Sequence, residues 1–340
     1  MKVISRYLAT GRNAGPKAKV DIENILKKYY NAKICTFKIK SYKNGFFEKI
    51  KKILFCIKNI KTSDLVVVQY PFINSAKVLN ISKNKFAIVH DVHGIRTLEK
   101  DMLNKEINAL NSFQYVIIHN QKMEDYLKEH GLKAKCVQLE LFDYLAPKTE
   151  SANDKLNIDN PIIIYTGGLA KEKAVFLYEL KQEKMRFSMN VYGPGLENNK
   201  LNNELINYKG CFTPDEIVNN MEGNLGLVWS GEVDESDENI GEKSYMRFNA
   251  PHKTSCYLAA GIPVVIWEKA AMADIVKKYN VGYTIKSIYD INNLDFSDYS
   301  EKKKKAEELS NKLKEGYFTK IAVDKVLKEI EANNLGKENN

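Results

Sequence analysis

Short runs of β-branched and aromatic residues alternate along the chain with segments whose apolar positions recur every three or four residues. "KVISRYL" opens as a strand, and "AKVDIENILKKYY" carries a helix face through Val20, Ile22, Ile25, Leu26 and Tyr29. "AKICTFKI" is strand-like and "FFEKIKKILFCIKNI" helical. Next come "DLVVVQYPF", "FAIVHDVH" and "QYVIIHN", whose near-continuous Val and Ile content suits parallel strands buried on both faces. "QKMEDYLKEHGL" reads as a helix ending at Gly131, and "CVQLELFDYL" as the last strand of this half.

The polar, turn-rich stretch 146–161 is the best domain boundary. A second alternation follows it. Strand "IIIYTG", helix "EKAVFLYELK", strands "RFSMNVYG" and "INYKG", helix "PDEIVNNM" and strand "NLGLVWSG" lead to a helix from Thr254, strand "PVVIWE", helix "MADIVKKYN" and a short strand near "GYTI". The charged, amphipathic tail carries an apolar stripe at Phe318, Ile321, Val326, Leu327 and Ile330 and is expected to pack back across the domains. The pattern predicts an α/β chain of two Rossmann-like, doubly wound parallel-sheet domains, 1–148 and 160–298, with C-terminal helices over 299–335. Two such domains are expected to face a central cleft at the carboxyl ends of their strands, where open α/β folds bind ligands.

At 340 residues the chain is long enough for two domains. Five scattered cysteines with no CxxC spacing predict reduced thiols, a cytoplasmic setting and no zinc site. The N-terminus has no signal-peptide pattern, and no window is apolar enough to span a bilayer. The net charge is +9, and through Lys61 sixteen Lys or Arg stand against three acids. A basic lobe of this kind suits an anionic partner, such as a membrane surface or a lipid-linked pyrophosphate; solvated lysine-rich faces are the competing reading.

Candidate chemistry gathers at predicted strand ends. "NAPHKTSCYLAAGIPVVI" (249–266) puts His252, Lys253 and Thr254 on the first turn of a short helix that feeds a buried strand. A helix start offers unpaired N–H groups and partial positive charge, and Lys253 and Thr254 add a cation and a hydroxyl donor for an anion. Ala259, Ala260 and Gly261 allow the helix to lie close to the sheet. In "YTGGLAKEK" (165–173), Gly167 and Gly168 let backbone approach a phosphate that Lys171 can also reach; a plain turn is the alternative. Gly193 in "VYGPGLEN" either walls a base or turns the chain, and "GLVWSGEVDESDENIG" offers carboxylates for sugar hydroxyls or a solvated loop. In the first half, "FAIVHDVHGIRTLEKD" sets His90, Asp91 and His93 past a buried strand, well placed for general base catalysis or for a structural hydrogen bond. Arg12, Asn13 and Lys17 follow the first strand in a glycine-containing loop able to contact an acceptor. No metal-ligand set is recognisable.

With these residues in view, the chain resembles the bacterial GT-B glycosyltransferases grouped around UDP-galactofuranosyltransferases and adhesin glucosyltransferases. The resemblance is carried by "VHDVHGIR", "NLGLVWSG" and above all "FNAPHKTSCYLAAGIPVVIWEKAAMADIVKKYNVGYTI". It covers nearly the whole chain. It implies a UDP-hexose donor bound mainly by the second domain and a saccharide acceptor, lipid-linked or on a glycoprotein, held mainly by the first. On that resemblance Lys253, Thr254 and His252 bind the donor diphosphate, flanked by Gly168 and Lys171. Gly167, Tyr192, Gly193, Trp229, Ser230 and Asn249 then surround the nucleoside and sugar. Many GT-B enzymes carry a Glu-x7-Glu pair; here Glu268 is present and the second position falls around Asp274. Arg12, Asn13, Lys17 and His93 are the acceptor-side candidates. The "NAPHK" form favours galactofuranose over glucose.

The expected reaction is one displacement, with Asp91 or His90 taking the acceptor proton and fixed protein donors replacing a metal ion. The UDP-sugar is a co-substrate and no cofactor is expected. A peripheral contact with the inner membrane face through the basic lobe and a homo-oligomer are compatible with this reading; nucleic acid is not an expected partner. Two rivals are a UDP-sugar 2-epimerase of the same fold and a non-enzymatic anion- or nucleic-acid-binding protein.

Overall fold

The computed structural model describes residues 1–8, 15–39, 46–61, 65–72, 84–147, 157, 159–197, 199, 201–234 and 242–338. The chain divides into two compact units, 1–143 with 316–340, and 144–315. In the first, strands β1 (Lys2–Leu8), β2 (Lys33–Ile39), β3 (Val66–Tyr70), β4 (Lys85–Val89), β5 (Tyr115–Ile118) and β6 (Lys135–Gln138) form a sheet of order β2-β1-β3-β4-β5-β6. Every pairing in it is parallel. β3, β4 and β5 are buried along their whole length, as their largely apolar runs favour. The chain crosses back over β1 to reach β3, so the point where winding reverses lies between those two strands.

The second unit carries β7 (Ile162–Thr166), β8 (Ser188–Tyr192), β9 (Ile206–Tyr208), β10 (Leu225–Val228), β11 (Val264–Trp267) and β12 (Gly282–Ile285) in the order β12-β11-β10-β7-β8-β9. All its pairings are parallel. Its reversal lies between β7 and β10.

The tail is two helices, Tyr299–Glu315 and Tyr317–Glu338, parted by Gly316 at φ +83. The first belongs to the second unit, where Ser310 and Lys303 donate to the carbonyls of Ala259 and Gly261, at 2.6 and 3.0 Å. The second helix belongs to the first unit, where Asp143 caps its start by accepting from Phe318 N at 3.1 Å and Thr319 N at 2.6 Å. Among the described residues no helix is long and apolar enough to cross a membrane.

Candidate active site

At the reversal point of the second unit, β7 and β10 pair at Ile163–Leu225 and Ile164–Gly226 and then diverge. The Tyr257 phenol enters the gap. Its oxygen accepts from Thr166 N at 2.8 Å and donates to Leu227 O at 3.2 Å, closing backbone groups that a continuing ladder would have paired. The ring fits because residue 226 is glycine: a Cβ there would lie 2.2 Å from it. Burial pushes the phenol's pKa up, so it stays protonated and able to donate. Tyr257 thereby locks the His252–Ala259 helix onto the sheet, and Ser310 and Lys303 hold the far end.

The N-terminus of the same helix lies at Pro251–Lys253. Pro251 stands at the N-cap and no side chain caps the first turn. Lys253, half-buried on that turn, places Nζ 4.2 Å from the centre of the Tyr165 ring and 3.5 Å from the Trp229 carbonyl. An ideal Cβ on Gly167 would come 3.9 Å from the same Nζ, which places the glycine turn within contact distance of the ammonium. No carboxylate among the described residues pairs with Lys253. The half-buried ammonium thus rests on a π face and a weak carbonyl contact.

The exposed Gly167–Gly168 turn is held by backbone rather than by side chains. Gly167 N donates to Tyr192 O at 3.0 Å and Leu169 N to Pro194 O at 2.8 Å. A Cβ on Gly193 would sit 1.8 Å from Gly167 O, which fixes glycine at that position. Lys171 N donates to Glu197 Oε1 at 3.0 Å, and Tyr178 Oη bonds Leu169 O at 2.6 Å. The "VYGPGLEN" segment is thus the backbone cradle of the glycine turn.

The structure brings together Gly167, Lys253 and the carbonyl end of Trp229. Other sequence candidates have different surroundings. Thr254 is fully buried, and among the described residues its hydroxyl has no partner; Asn249 Oδ1 is likewise buried without one there. His252 stacks on Tyr144 at 4.9 Å. Tyr192 lies inside the sheet with its hydroxyl accepting from Glu222 N at 3.0 Å. The Trp229 ring is buried and donates to Glu232 O at 2.7 Å, while Ser230 follows it half-exposed. Asp274 is exposed on the first turn of the Ala271–Tyr279 helix. The acidic residues 235–240 lie outside the described residues.

In the first unit, the "VHDVHGIR" stretch leaves the carboxyl end of β4. Asp91 Oδ2 lies 3.1 Å from Arg96 Nη2 and 3.7 Å from His93 Nδ1. His90 is half-buried, stacks on Phe142 at 5.4 Å, and has Nε2 2.8 Å from Gln69 Oε1. The short His93–Thr97 helix begins on the buried Glu106, whose carboxylate accepts from His93 N at 3.1 Å and Gly94 N at 2.8 Å. That helix start is already occupied by an acid, in contrast to the one at His252. Lys17 is buried against Asp21 at 2.8 Å, and Arg12 and Asn13 lie outside the described residues. Sequence reasoning missed Tyr257 and Gln69, each hidden in an apolar run. The glycine within strand "NLGLV" was the available signal of a close approach at Gly226.

Two all-parallel, doubly wound six-stranded sheets of these orders define a GT-B glycosyltransferase fold. Solved structures share it. The Anabaena protein Alr3699/HepE, crystallised with UDP and glucose, matches at a TM-score of 0.60 and 12% identity, covering 98% of this chain and 100% of that one. WaaG, a glycosyltransferase involved in lipopolysaccharide biosynthesis, matches at 0.59 and 12%, covering 95% and 99%. The chain belongs to the Glucosyltransferase 3-like family, whose N-terminal domain matches residues 1–141 and whose C-terminal domain matches 163–326. It is a glycosyltransferase. The beta-1,6-galactofuranosyltransferase WbbI of Escherichia coli (strain K12) is 27% identical over 94% of this chain and 96% of the relative. Glucosyltransferase 3 of Streptococcus gordonii is 22% identical over 97% and 99%.

Proposed function

We propose that the protein transfers a hexose from a UDP-sugar to a saccharide hydroxyl in the synthesis of a surface glycan, with the donor diphosphate held by Lys253. The observation that supports this most is the half-buried Lys253 ammonium without a carboxylate partner, set between Gly167, Tyr165 and the Trp229 carbonyl. As the bond to the sugar breaks, charge grows on the leaving diphosphate. Lys253, the uncapped first turn behind it and Lys171 are the protein groups assigned to take up that charge. Fixed donors of this kind act without a metal ion, and activity in excess EDTA is the expected behaviour. UDP bound in the HepE structure supports a UDP-sugar; the WbbI name supports galactofuranose as the sugar, and the Streptococcus gordonii relative's name supports glucose as the alternative.

The first unit supplies the acceptor side. Asp91 is engaged by Arg96 and His93, whereas His90 meets a neutral amide, so His90 is assigned as the base that takes the acceptor proton. A thermal-shift comparison of UDP, GDP, dTDP and UDP-sugars tests the donor class. Stabilisation by UDP and UDP-hexoses is expected; stabilisation only by another nucleotide would overturn the assignment.

A further inference from the structure

Where the first sheet reverses, β1 and β3 each contribute a buried polar side chain. Ser5 of β1 donates its hydroxyl to Glu23 of the Lys17–Tyr30 helix. Gln69, next to last in β3 and fully buried, donates from Nε2 to the Lys19 carbonyl at 3.1 Å and to Glu23 Oε1 at 3.4 Å. Its Oε1 stands 2.8 Å from His90 Nε2.

The partners fix which way this amide points. A backbone carbonyl only accepts, so the Gln69 NH₂ faces Lys19 whatever the protonation of Glu23. The amide oxygen must then face His90, and an amide oxygen cannot donate. His90 Nε2 therefore carries the hydrogen, and in the neutral ring the lone pair resides on Nδ1. The imidazole is further held by Phe142, stacked at 18°, and by its own amide on Tyr70 O at 2.8 Å.

We infer that Gln69 is a positioning residue that holds His90 in the Nε2–H tautomer, so that Nδ1 is the nitrogen that takes the acceptor proton. This rests on the reading of His90 as the base. The arrangement follows the general logic of a base oriented by a third group, here a neutral amide clamped by a backbone carbonyl. The proton passes from the acceptor hydroxyl to Nδ1 as the oxygen bonds the anomeric carbon and the bond to UDP breaks. The ring then carries both hydrogens, with Nε2–H still on Gln69.

The test is the histidine tautomer, read by long-range ¹H–¹⁵N correlation on the full-length protein labelled at its five histidines, with the His90→Ala spectrum giving the assignment. Wild type is expected to show Nε2–H at His90. Gln69→Leu, which removes the acceptor, is expected to populate Nδ1–H and to lower kcat about tenfold or more with the donor KM within about twofold. Gln69→Glu, which keeps an oxygen toward His90, is expected to retain Nε2–H. If Gln69→Leu does not fold, the wild-type and Gln69→Glu spectra still decide the matter. Nδ1–H in wild type, or an unchanged tautomer and kcat in folded Gln69→Leu, would overturn the proposal. Full turnover by His90→Ala would instead overturn the base reading, a result the wild-type tautomer does not depend on.

Discussion

The role proposed for Lys253 rests on what surrounds it rather than on its type. Most lysines here are solvated or paired, as Lys128 is with Glu124 and Lys209 with Glu222. Among the described residues Lys253 has a ring face and a carbonyl and no carboxylate. Lys253→Ala is expected to lower turnover by about 10² to 10³-fold, the usual cost of one preorganised donor to developing negative charge. Steady-state UDP release checks this, and a rate within threefold of wild type would refute the assignment. The helix start at Lys253 was legible because "PHKT" follows a turn and precedes a β-branched run. Tyr257 and Gln69 were not, since a tyrosine in "SCYLAA" and a glutamine in "VVVQY" read as core. Their work depends on partners 21 or more positions away, from His90 for Gln69 to Thr166 for Tyr257 at a separation of 91.

Among the elements, the strands were legible because parallel sheets need unbroken apolar runs, and β3, β4, β5, β10 and β11 stand where those runs lie. Several elements are shorter than their patterns, two of them with a visible cause. "EKAVFLYELK" is helical only over Val175–Glu179, because tertiary partners take the next backbone groups: Asn203 donates to Leu180 O at 3.1 Å and Lys181 N donates to Tyr289 Oη at 2.8 Å. "CVQLELFDYL" stops as strand at Gln138, since Glu140 adopts φ +66. Hydrophobicity alone records neither event. The proposed donor site would depend most on the Gly167–Gly168 turn, against which Gly193 packs. Gly193→Ala puts a methyl into Gly167 O at a residue with φ +139, so the turn must move. The expected outcome is a folded protein, destabilised by about 1–3 kcal/mol, whose melting temperature responds weakly to UDP. A wild-type UDP response in this variant would separate the glycine turn from the donor site.

The molecule as a whole distributes buried ionisable groups with opposed pH effects. His119, buried and 3.1 Å from Val89 O, has its pKa lowered to about 4 by desolvation. The unfolded chain therefore binds the extra proton between about pH 6.5 and 4, and this group's contribution to stability is lost as the pH falls through that window. Asp143, raised to about 7 by burial despite its bonds from Thr319 and Phe318, acts the other way: its contribution is lost as the pH rises from the ordinary carboxylate range toward 7. His119→Gln should accordingly gain on wild type by roughly 3 kcal/mol between pH 7 and pH 4 in urea unfolding. Parallel curves for the two proteins would contradict it. Function at this scale rests on one claim, that the reversal point of the second sheet is an anion site completed by the donor diphosphate. Isothermal titration of UDP into wild type and Lys253→Ala tests it most directly. The account predicts UDP binding by wild type and affinity weakened about tenfold or more in the variant, as loss of a charge-assisted contact of about 1.5–3 kcal/mol requires. Equal UDP affinity in the two proteins would contradict it.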